Sequence, residues 1–205
     1  GQPASAKTQG VGVFFQILPY IEQDAVYRKT DPWSYPIPIY FCPSRRTGTA
    51  IGGRYMGDYA FITPGDFWQG DIWGIPVNAQ FWGVITRTGT AGAPANVNHV
   101  RDGTSNTLVI TEKRLHSTLY FNGDWHDDSG WADGWDPDIG RSSDYLPQMD
   151  AASGVTGYEA GSAHSMGVQG VFADGSVRMI NYSIDAANWR NLAHRNDGQV
   201  ITNLP

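Results

Sequence analysis

The sequence has 205 residues, a formal net charge of −6 and no run of Lys or Arg. Binding to nucleic acid is therefore not expected, because phosphate contacts need a basic face. No stretch of about 18 apolar residues is present, so the sequence contains no candidate membrane span. Hydrophobic residues make up 40% of the chain, which is enough for the core of one domain, and we predict a single domain over residues 1–205.

The N-terminal part combines a helical pattern with proline-rich extended segments. Residues 1–10 are small and polar and read as an extended lead-in. The apolar spacing in 11–27 predicts helix, with Pro19 opening its second part. Prolines and pre-proline positions exclude a helix over 31–38, and 39–42 is predicted as a short strand.

Cys42 closes this predicted strand and is the only cysteine in the sequence. It cannot form an internal disulfide. It is either a small buried apolar residue or a link to another chain, and we favour burial.

The middle of the chain is rich in loops, with a few β-prone runs between them. Two long stretches are predicted to be loop insertions, near 64–80 and over 121–150. Residues 89–98 are rich in Gly, Ala, Pro and Asn and are predicted as a loop. The predicted strands are 54–62, 81–88 and 108–113.

The C-terminal part carries the strongest local signals. Asp174 and Gly175 separate two apolar runs, 167–173 and 177–182, which predicts a β-hairpin whose two turn residues have positive φ. A short amphipathic helix is predicted over 184–195, with Ser183 as its N-cap and Gly198 after its end. The order of elements predicts an α+β fold with a mostly antiparallel β-sheet, an N-terminal helical segment, long loops and a short C-terminal helix.

Five short motifs occur in a fixed order along the chain. They are ILPYIEQDAVY at 17–27, FCPS at 41–44, MGDYA at 56–60, DGTSNTLVITEK at 102–113 and AHSMGVQGVFADGSVRMI at 163–180. In the last motif nine residues separate His164 from Asp174 and Gly175. The set resembles the prepilin-type processing-associated H-X9-DG domain family (domain of unknown function 1559), a family of pseudopilin-like exported proteins.

The resemblance implies a pilin-like fold, with an exported β-rich body found extracellularly or on the cell surface. Members of the family carry a pilin-like hydrophobic N-terminal helix, which this sequence lacks. We therefore expect any assembly of this chain to be held by its globular surfaces.

The motif residues Asp102, Gly103, Thr104, His164, Asp174 and Gly175 favour a structural role over a chemical one. Short polar side chains such as those of the DGTSNT run bond to nearby backbone, and Gly103 can adopt positive φ. The alternative is a carboxylate and hydroxyl cluster for metal binding or catalysis. His164 is expected to be a buried or half-buried hydrogen-bonding residue that pairs with Asp174 or a backbone carbonyl.

The segment 124–138 has the richest chemistry, with six aspartates among glycines and tryptophans. Calcium prefers six to eight oxygen ligands, and a cation would relieve the repulsion between clustered carboxylates. The spacing does not match an EF-hand, and a solvated acidic loop is an equal alternative. The candidate calcium ligands are Asp124, Asp127, Asp128, Asp133, Asp136 and Asp138.

The sequence contains no known catalytic motif and no histidine pair at ligand spacing, so we predict that the chain is not an enzyme. The preferred function is an extracellular structural subunit that self-assembles into a filament, tube or surface layer. The alternative is a carbohydrate-binding module that stacks exposed Trp side chains on a glycan. The tryptophans predicted to contact a partner are Trp68, Trp73, Trp82, Trp131 and Trp135.

Overall fold

The N-terminal segment is a series of short helical turns. The computed structural model describes residues 10–65, 81–87 and 95–202. Helix α1 (Val13–Gln16) is followed by a 3-10 turn (Leu18–Ile21) and by α2 (Asp24–Tyr27). Pro19 lies in the 3-10 turn, and Glu22 then adopts a left-handed conformation, which breaks the helical run predicted over 11–27.

The centre of the molecule is a five-stranded sheet made of β3 (Tyr59–Thr63), β4 (Leu108–Glu112), β5 (Gly140–Ser142), β8 (Gly167–Phe172) and β9 (Val177–Asn181). Their order across the sheet is β5-β3-β4-β8-β9. Three of its neighbouring strand pairs are antiparallel, and only β3 and β5 run parallel. The mostly antiparallel α+β fold that the sequence predicts is therefore present in its coarse features.

Two small two-stranded sheets lie outside the central one. Strands β1 (Ala50–Ile51) and β2 (Arg54–Tyr55) pair antiparallel, whereas β6 (Gln148–Met149) and β7 (Gly161–Ser162) pair parallel. Strands β5 and β6 both fall within 121–150, the stretch predicted as one long loop.

The sheet is packed on both faces. Phe61 and Ile62 are neighbours on β3 and belong to two separate hydrophobic clusters, because successive side chains of a strand point to opposite faces. The N-terminal turns supply Phe14, Phe15 and Leu18 to the first cluster. Helix α3 (Ala186–Ala193) supplies the second cluster with Trp189 and Leu192, both fully buried.

The β8–β9 hairpin forms where Asp174 and Gly175 predict it, but its turn differs in detail. The last paired residues are Val171 and Val177, so five residues, 172–176, lie between them. Among the described residues other than glycine, only Glu22 has positive φ, so of the two turn residues only Gly175 adopts it, at +85°. The N-cap of α3 also differs from the prediction, because Asp185 and not Ser183 accepts the hydrogen bond from the Asn188 N–H.

Two predicted strands are wrong within the described residues. Residues Pro38–Tyr40 form a 3-10 turn, because Pro38 fixes a φ suited to its first position. Residues 81–87 form no strand, and residue 88 lies outside the described part. Within the described chain, no helix has the length and apolar character needed to cross a lipid bilayer.

Candidate functional site

A network of buried ion pairs connects the family-like motifs to the acidic segment. Arg46 Nε lies 2.8 Å from Asp58 Oδ1, and its Nη1 lies 2.6 Å from Asp127 Oδ2. Lys113 Nζ lies 2.7 Å from Asp127 Oδ1. Arg45 joins the network through Nη1, which lies 3.5 Å from Asp58 Oδ1, and its Nε lies 2.8 Å from Asp150 Oδ2. Arg45 and Arg46 follow the FCPS motif, Asp58 lies in MGDYA, and Lys113 ends DGTSNTLVITEK. Charged residues in or next to three of the family-like motifs therefore meet in one buried cluster.

Burial and charge pairing act in opposite directions on these groups. Burial alone would raise the pKa of Asp127, but the charges of Lys113 and Arg46 outweigh it and lower that pKa. Burial lowers the pKa of Lys113, and Asp127 and Asp138 oppose this shift. Such pairs are costly to break, because the remaining partner is left as an uncompensated buried charge.

Cys42, Glu112 and His164 meet beside this network. The Cys42 Sγ and the His164 Nε2 are 3.7 Å apart, and the same Nε2 lies 3.6 Å from Glu112 Oε1. Cys42 and Glu112 are buried, whereas the His164 side chain is 33% exposed. Burial raises the pKa of the Cys42 thiol, and the charge of Glu112 adds to that rise. Cys42 is therefore buried, as its sequence context predicts, but it has polar neighbours.

The arrangement differs from that of a cysteine nucleophile activated by histidine. In such a site one ring nitrogen faces the thiol while the other is oriented by an acid. Here a single nitrogen, Nε2 of His164, faces both the thiol and the carboxylate. The three atoms converge on one point, which is the pattern of a ligand set.

The DGTSNT motif contacts the backbone of two other segments. The Asp102 carboxylate accepts hydrogen bonds from the N–H groups of Asp197 and Gly198, at 2.6 and 2.9 Å. Gly103 has φ of +98°, and the Thr104 carbonyl accepts the N–H of Asp174 in the hairpin turn. The motif therefore fastens the C-terminal segment and the β8–β9 turn to the start of β4.

His164 and Asp174 do not pair, although the sequence suggested that they might. Asp174 accepts a hydrogen bond from the Ser176 N–H within its own turn and lies 3.6 Å from Arg178. His164 contacts Cys42 and Glu112, and Ser162 Oγ accepts its backbone N–H. The two motif ends have separate partners because strand β8 lies between them.

The six aspartates of 124–138 do not converge on one point. In the described chain, two groups of three or more Asp, Glu, His or Cys side chains are close enough to share a metal ion, and neither includes these aspartates. Asp127 is occupied by Arg46 and Lys113. Asp128 and Asp133 accept hydrogen bonds from the adjacent Ser129 hydroxyl and Gly134 N–H.

Asp138 has one buried carboxylate oxygen that could accept a further hydrogen bond or bind a cation. Its Oδ1 accepts the N–H groups of Ser129 and Gly130, both at 2.9 Å, whereas its buried Oδ2 has no hydrogen-bond partner. Burial raises the pKa of Asp138 to about 7. Asp136 accepts the Asp138 N–H, and burial raises its pKa as well.

Asp124 lies apart from the others, between two histidines. Its Oδ2 is 3.5 Å from His116 Nε2 and 3.4 Å from His126 Nε2. Both ring nitrogens of the buried His126 lack a hydrogen bond. Burial, with the charges of Arg141 and Lys113, lowers the pKa of His126 to about 3. This ring is therefore held neutral.

The described tryptophans are mostly internal. Trp131, predicted at an interface, is only 1% exposed, and its Nε1 donates to the Tyr35 carbonyl. Trp135 packs against Phe61 and Phe81 with ring centroids 4.6 and 5.0 Å away. Trp82 stacks on His194 at 5.1 Å. Trp68 and Trp73 lie outside the described residues. Trp131 is buried because its large apolar ring system packs in the first hydrophobic cluster, with residues of the N-terminal turns.

Among the residues that the structure describes, one face of the sheet is covered at one end and exposed at the other. The strand register aligns Phe61 with Ile110, Ile110 with Val171 and Val171 with Val177. Phe61 is buried and Ile110 packs on the first cluster, whereas Val177 is 63% exposed. Met179, two residues further along β9, is 37% exposed. The N-terminal turns thus cover β3 and β4 but leave an apolar strip on β9.

Sequence reasoning missed the ion-pair network, the Cys42 cluster and this strip. The pairs Arg45–Arg46 and Lys113–Arg114 were a usable signal, since adjacent basic residues next to apolar runs need buried partners. Nothing local could have joined Cys42 to His164, which are 122 positions apart.

Comparison with known proteins gives one match. A family model described as protein of unknown function (DUF1559) matches residues 1–187. No curated protein and no solved structure matches the chain significantly.

Proposed function

The chain belongs to the DUF1559 family of proteins of unknown function, and we propose that it is a non-catalytic, extracellular structural subunit that assembles with further copies of itself. The observation that carries the proposal is the half-covered face of the central sheet. An apolar strip continuous with a core is a typical protein contact surface. Val177 and Met179 supply this strip.

The position of β9 supports a second copy of the chain as the partner. Within the described residues β9 ends the sheet, so one side of its backbone has no neighbouring strand. Strand β5, at the other end, is buried. An edge strand that combines free backbone groups with apolar side chains can pair with another chain. Because β5 is covered, β9 pairs either with β9 of a second copy, which closes as a dimer that needs a further contact to polymerise, or with a different surface, which can continue as a filament.

The experiment compares the size of the wild-type protein with that of a Val177→Lys, Met179→Lys double variant. Light scattering and electron microscopy should find polymers of the wild type and a monomer or small oligomer of the variant. Val97→Lys is the matched control, because Val97 is 67% exposed and lies outside the sheet. A wild type that stays monomeric at high concentration would contradict the proposal, as would a double variant that polymerises like the control.

Resemblance to prepilin-like exported proteins supports the extracellular location and a pseudopilin-like role. One repeated heterologous contact gives a filament, and a tube wall or a surface layer needs a second kind of contact between copies. The low share of charged residues, 17%, also suits a surface with several protein contacts.

Calcium stays part of the proposal, at the Asp138 Oδ2 and the neighbouring Asp136. The support is the buried, unpartnered oxygen beside a second carboxylate whose pKa is raised by burial. Calcium should raise the melting temperature of the wild type but not of Asp138→Asn. Calorimetry that finds no calcium binding at millimolar concentration would remove the ion from the proposal.

A carbohydrate-binding role is the second candidate. Trp125 is 44% exposed, its ring lies 5.2 Å from that of Tyr158, and Tyr158 stacks on Tyr145 at 5.8 Å. Such a row of aromatic rings can stack on successive sugars. Retention on polysaccharide should be lost in Trp125→Ala and kept in Phe121→Ala, whose side chain is exposed but outside the row. Equal retention of both variants would reject this role.

A further inference from the structure

We propose that Cys42, Glu112 and His164 bind one divalent transition-metal ion, with zinc as the best fit. Their potential ligand atoms all lie within 4.8 Å of one another. Thiolate, imidazole and carboxylate together are a ligand set that suits zinc and disfavours calcium or magnesium, which prefer oxygen alone. The site goes beyond the structural role proposed above and does not depend on it.

Two of the three distances between the ligand atoms are close to those of a tetrahedral zinc site. With zinc bonds of about 2.3 Å to sulfur and about 2.0–2.2 Å to nitrogen and oxygen, neighbouring ligand atoms are about 3.3–3.6 Å apart. The observed separations from His164 Nε2 are 3.7 Å to Cys42 Sγ and 3.6 Å to Glu112 Oε1. A nitrogen–oxygen distance of 3.6 Å is too long for a good hydrogen bond. The Nε2–Oε1 separation therefore leaves room for an ion, which would replace the direct contact between Cys42 Sγ and His164 Nε2.

The backbone around the site already orients the three ligands. Glu112 Oε2 accepts the N–H of Gln169 at 2.9 Å, which leaves Oε1 directed at His164. The Cys42 N–H donates to Asp58 Oδ2 at 2.8 Å, and the His164 N–H donates to Ser162 Oγ at 3.0 Å. Contacts of this kind hold metal ligands in place and tune their affinity.

Charge also balances at such a site. Binding replaces the thiol proton of Cys42 by the metal, so that one proton is released for each ion bound. A thiolate and the Glu112 carboxylate then carry two negative charges, which neutralise a divalent cation in a place that is otherwise largely buried. His164 binds through neutral Nε2.

The ion would connect three separate parts of the fold: the FCPS loop, the end of β4 and the turn before β8. Three protein ligands leave the fourth tetrahedral position open to water, on the side where His164 is partly exposed. Each ligand comes from a different family-like motif: Cys42 from FCPS, Glu112 from DGTSNTLVITEK and His164 from the H-X9-DG motif. Metal binding would thus give His164 a role of its own, separate from the formation of the β8–β9 hairpin.

The test uses the full chain after treatment with a chelator. Calorimetric titration with zinc should give one ion per chain. Each of the variants Cys42→Ser, Glu112→Gln and His164→Gln should weaken zinc binding by more than about 100-fold. Loss of a residue that only supports a ligand weakens metal binding by about 10–100-fold, so loss of a ligand should exceed that range. His194→Gln is the control. It alters the other close group of ligand-type side chains, formed by Asp102, His194 and Asp197, and should leave zinc affinity unchanged.

Cobalt provides a readout that needs no variant. Co²⁺ added to the wild type should give a thiolate charge-transfer band and intense visible bands typical of tetrahedral coordination. Absence of the thiolate band would overturn the proposal even if Cys42→Ser fails to fold. Zinc binding that is lost in His194→Gln and kept in Cys42→Ser would also overturn it, because the ion would then occupy the other group.

Discussion

The two ends of the central sheet differ in how far the side chains of their strands are buried. At the covered end, all three residues of β5 are buried, and Ala60–Thr63 of β3 are buried as well. At the open end, β9 alternates between the buried Ile180 and the exposed Val177 and Met179. Within the described part of the chain, the covered end is buried on β3 and β5, whereas the open end exposes apolar side chains on β9.

The difference extends to the kind of interaction at each end. Around the covered end, charged side chains such as Arg141, Lys113 and Asp127 are buried and depend on one another. At the open end, the hairpin is held by backbone hydrogen bonds and by the DGTSNT motif. Substitutions should therefore affect folding mainly at the covered end and association mainly at the open end.

The largest expected effect is the loss of Asp127 at the covered end. Asp127→Ala leaves Arg46 and Lys113 without their shared carboxylate and should lower the free energy of unfolding by about 3–5 kcal/mol. Chemical denaturation measures this change. The matched control is Asp24→Ala, which breaks the exposed Asp24–Arg28 pair and should cost far less, because water screens the two charges. Equal effects of the two variants would contradict the contrast between buried and exposed pairs.

His126 sharpens the same comparison through pH. Its folded pKa of about 3 lies below the ordinary value of 6.5, so the unfolded chain binds the proton first as the pH falls. The stability that its neutral ring provides is present above pH 6.5 and is lost towards pH 3. His126→Phe, which cannot be protonated, should lose less stability than the wild type between these limits, by about 1–3 kcal/mol. Parallel pH profiles of the two proteins would contradict this assignment.

The smallest effect is expected at the open end. Asp102→Ala removes the acceptor of the Asp197 and Gly198 N–H groups, and both are partly reachable by water. We expect a loss of about 1–2 kcal/mol. Asp102→Asn, which keeps one acceptor oxygen, should lose less. If Asp102→Ala lowered the free energy of unfolding by more than Asp127→Ala, the predicted order of the two ends would be wrong.

Local signals in the sequence predicted the fold where neighbours in the chain decide the structure. Asp174 and Gly175 marked the hairpin, and the apolar spacing around Trp189 marked α3. The prediction was wrong where a proline permits two local structures, as at Pro38, where a 3-10 turn replaces the expected strand. It was also too regular at 11–27, where Glu22 interrupts the helix.

The candidate sites were harder to predict because their partners are distant in sequence. The aspartates of 124–138 looked like one cation site, yet Asp127 pairs with Arg46, which lies 81 positions away. The sequence displays the charges but not their pairing. For the same reason Cys42 could be predicted as buried, whereas its meeting with Glu112 and His164 required the sheet to be assembled first.

The most direct test of the central claim follows hydrogen exchange in the wild-type protein at low and high concentration. The amides of 177–181 on β9 should become more protected as the concentration rises, because a second copy then covers the strip and the strand edge. The amides of 59–63 on β3 should exchange at the same rate under both conditions. Exchange on β9 that is independent of concentration, in a sample whose particles grow, would contradict assembly through the open end of the sheet.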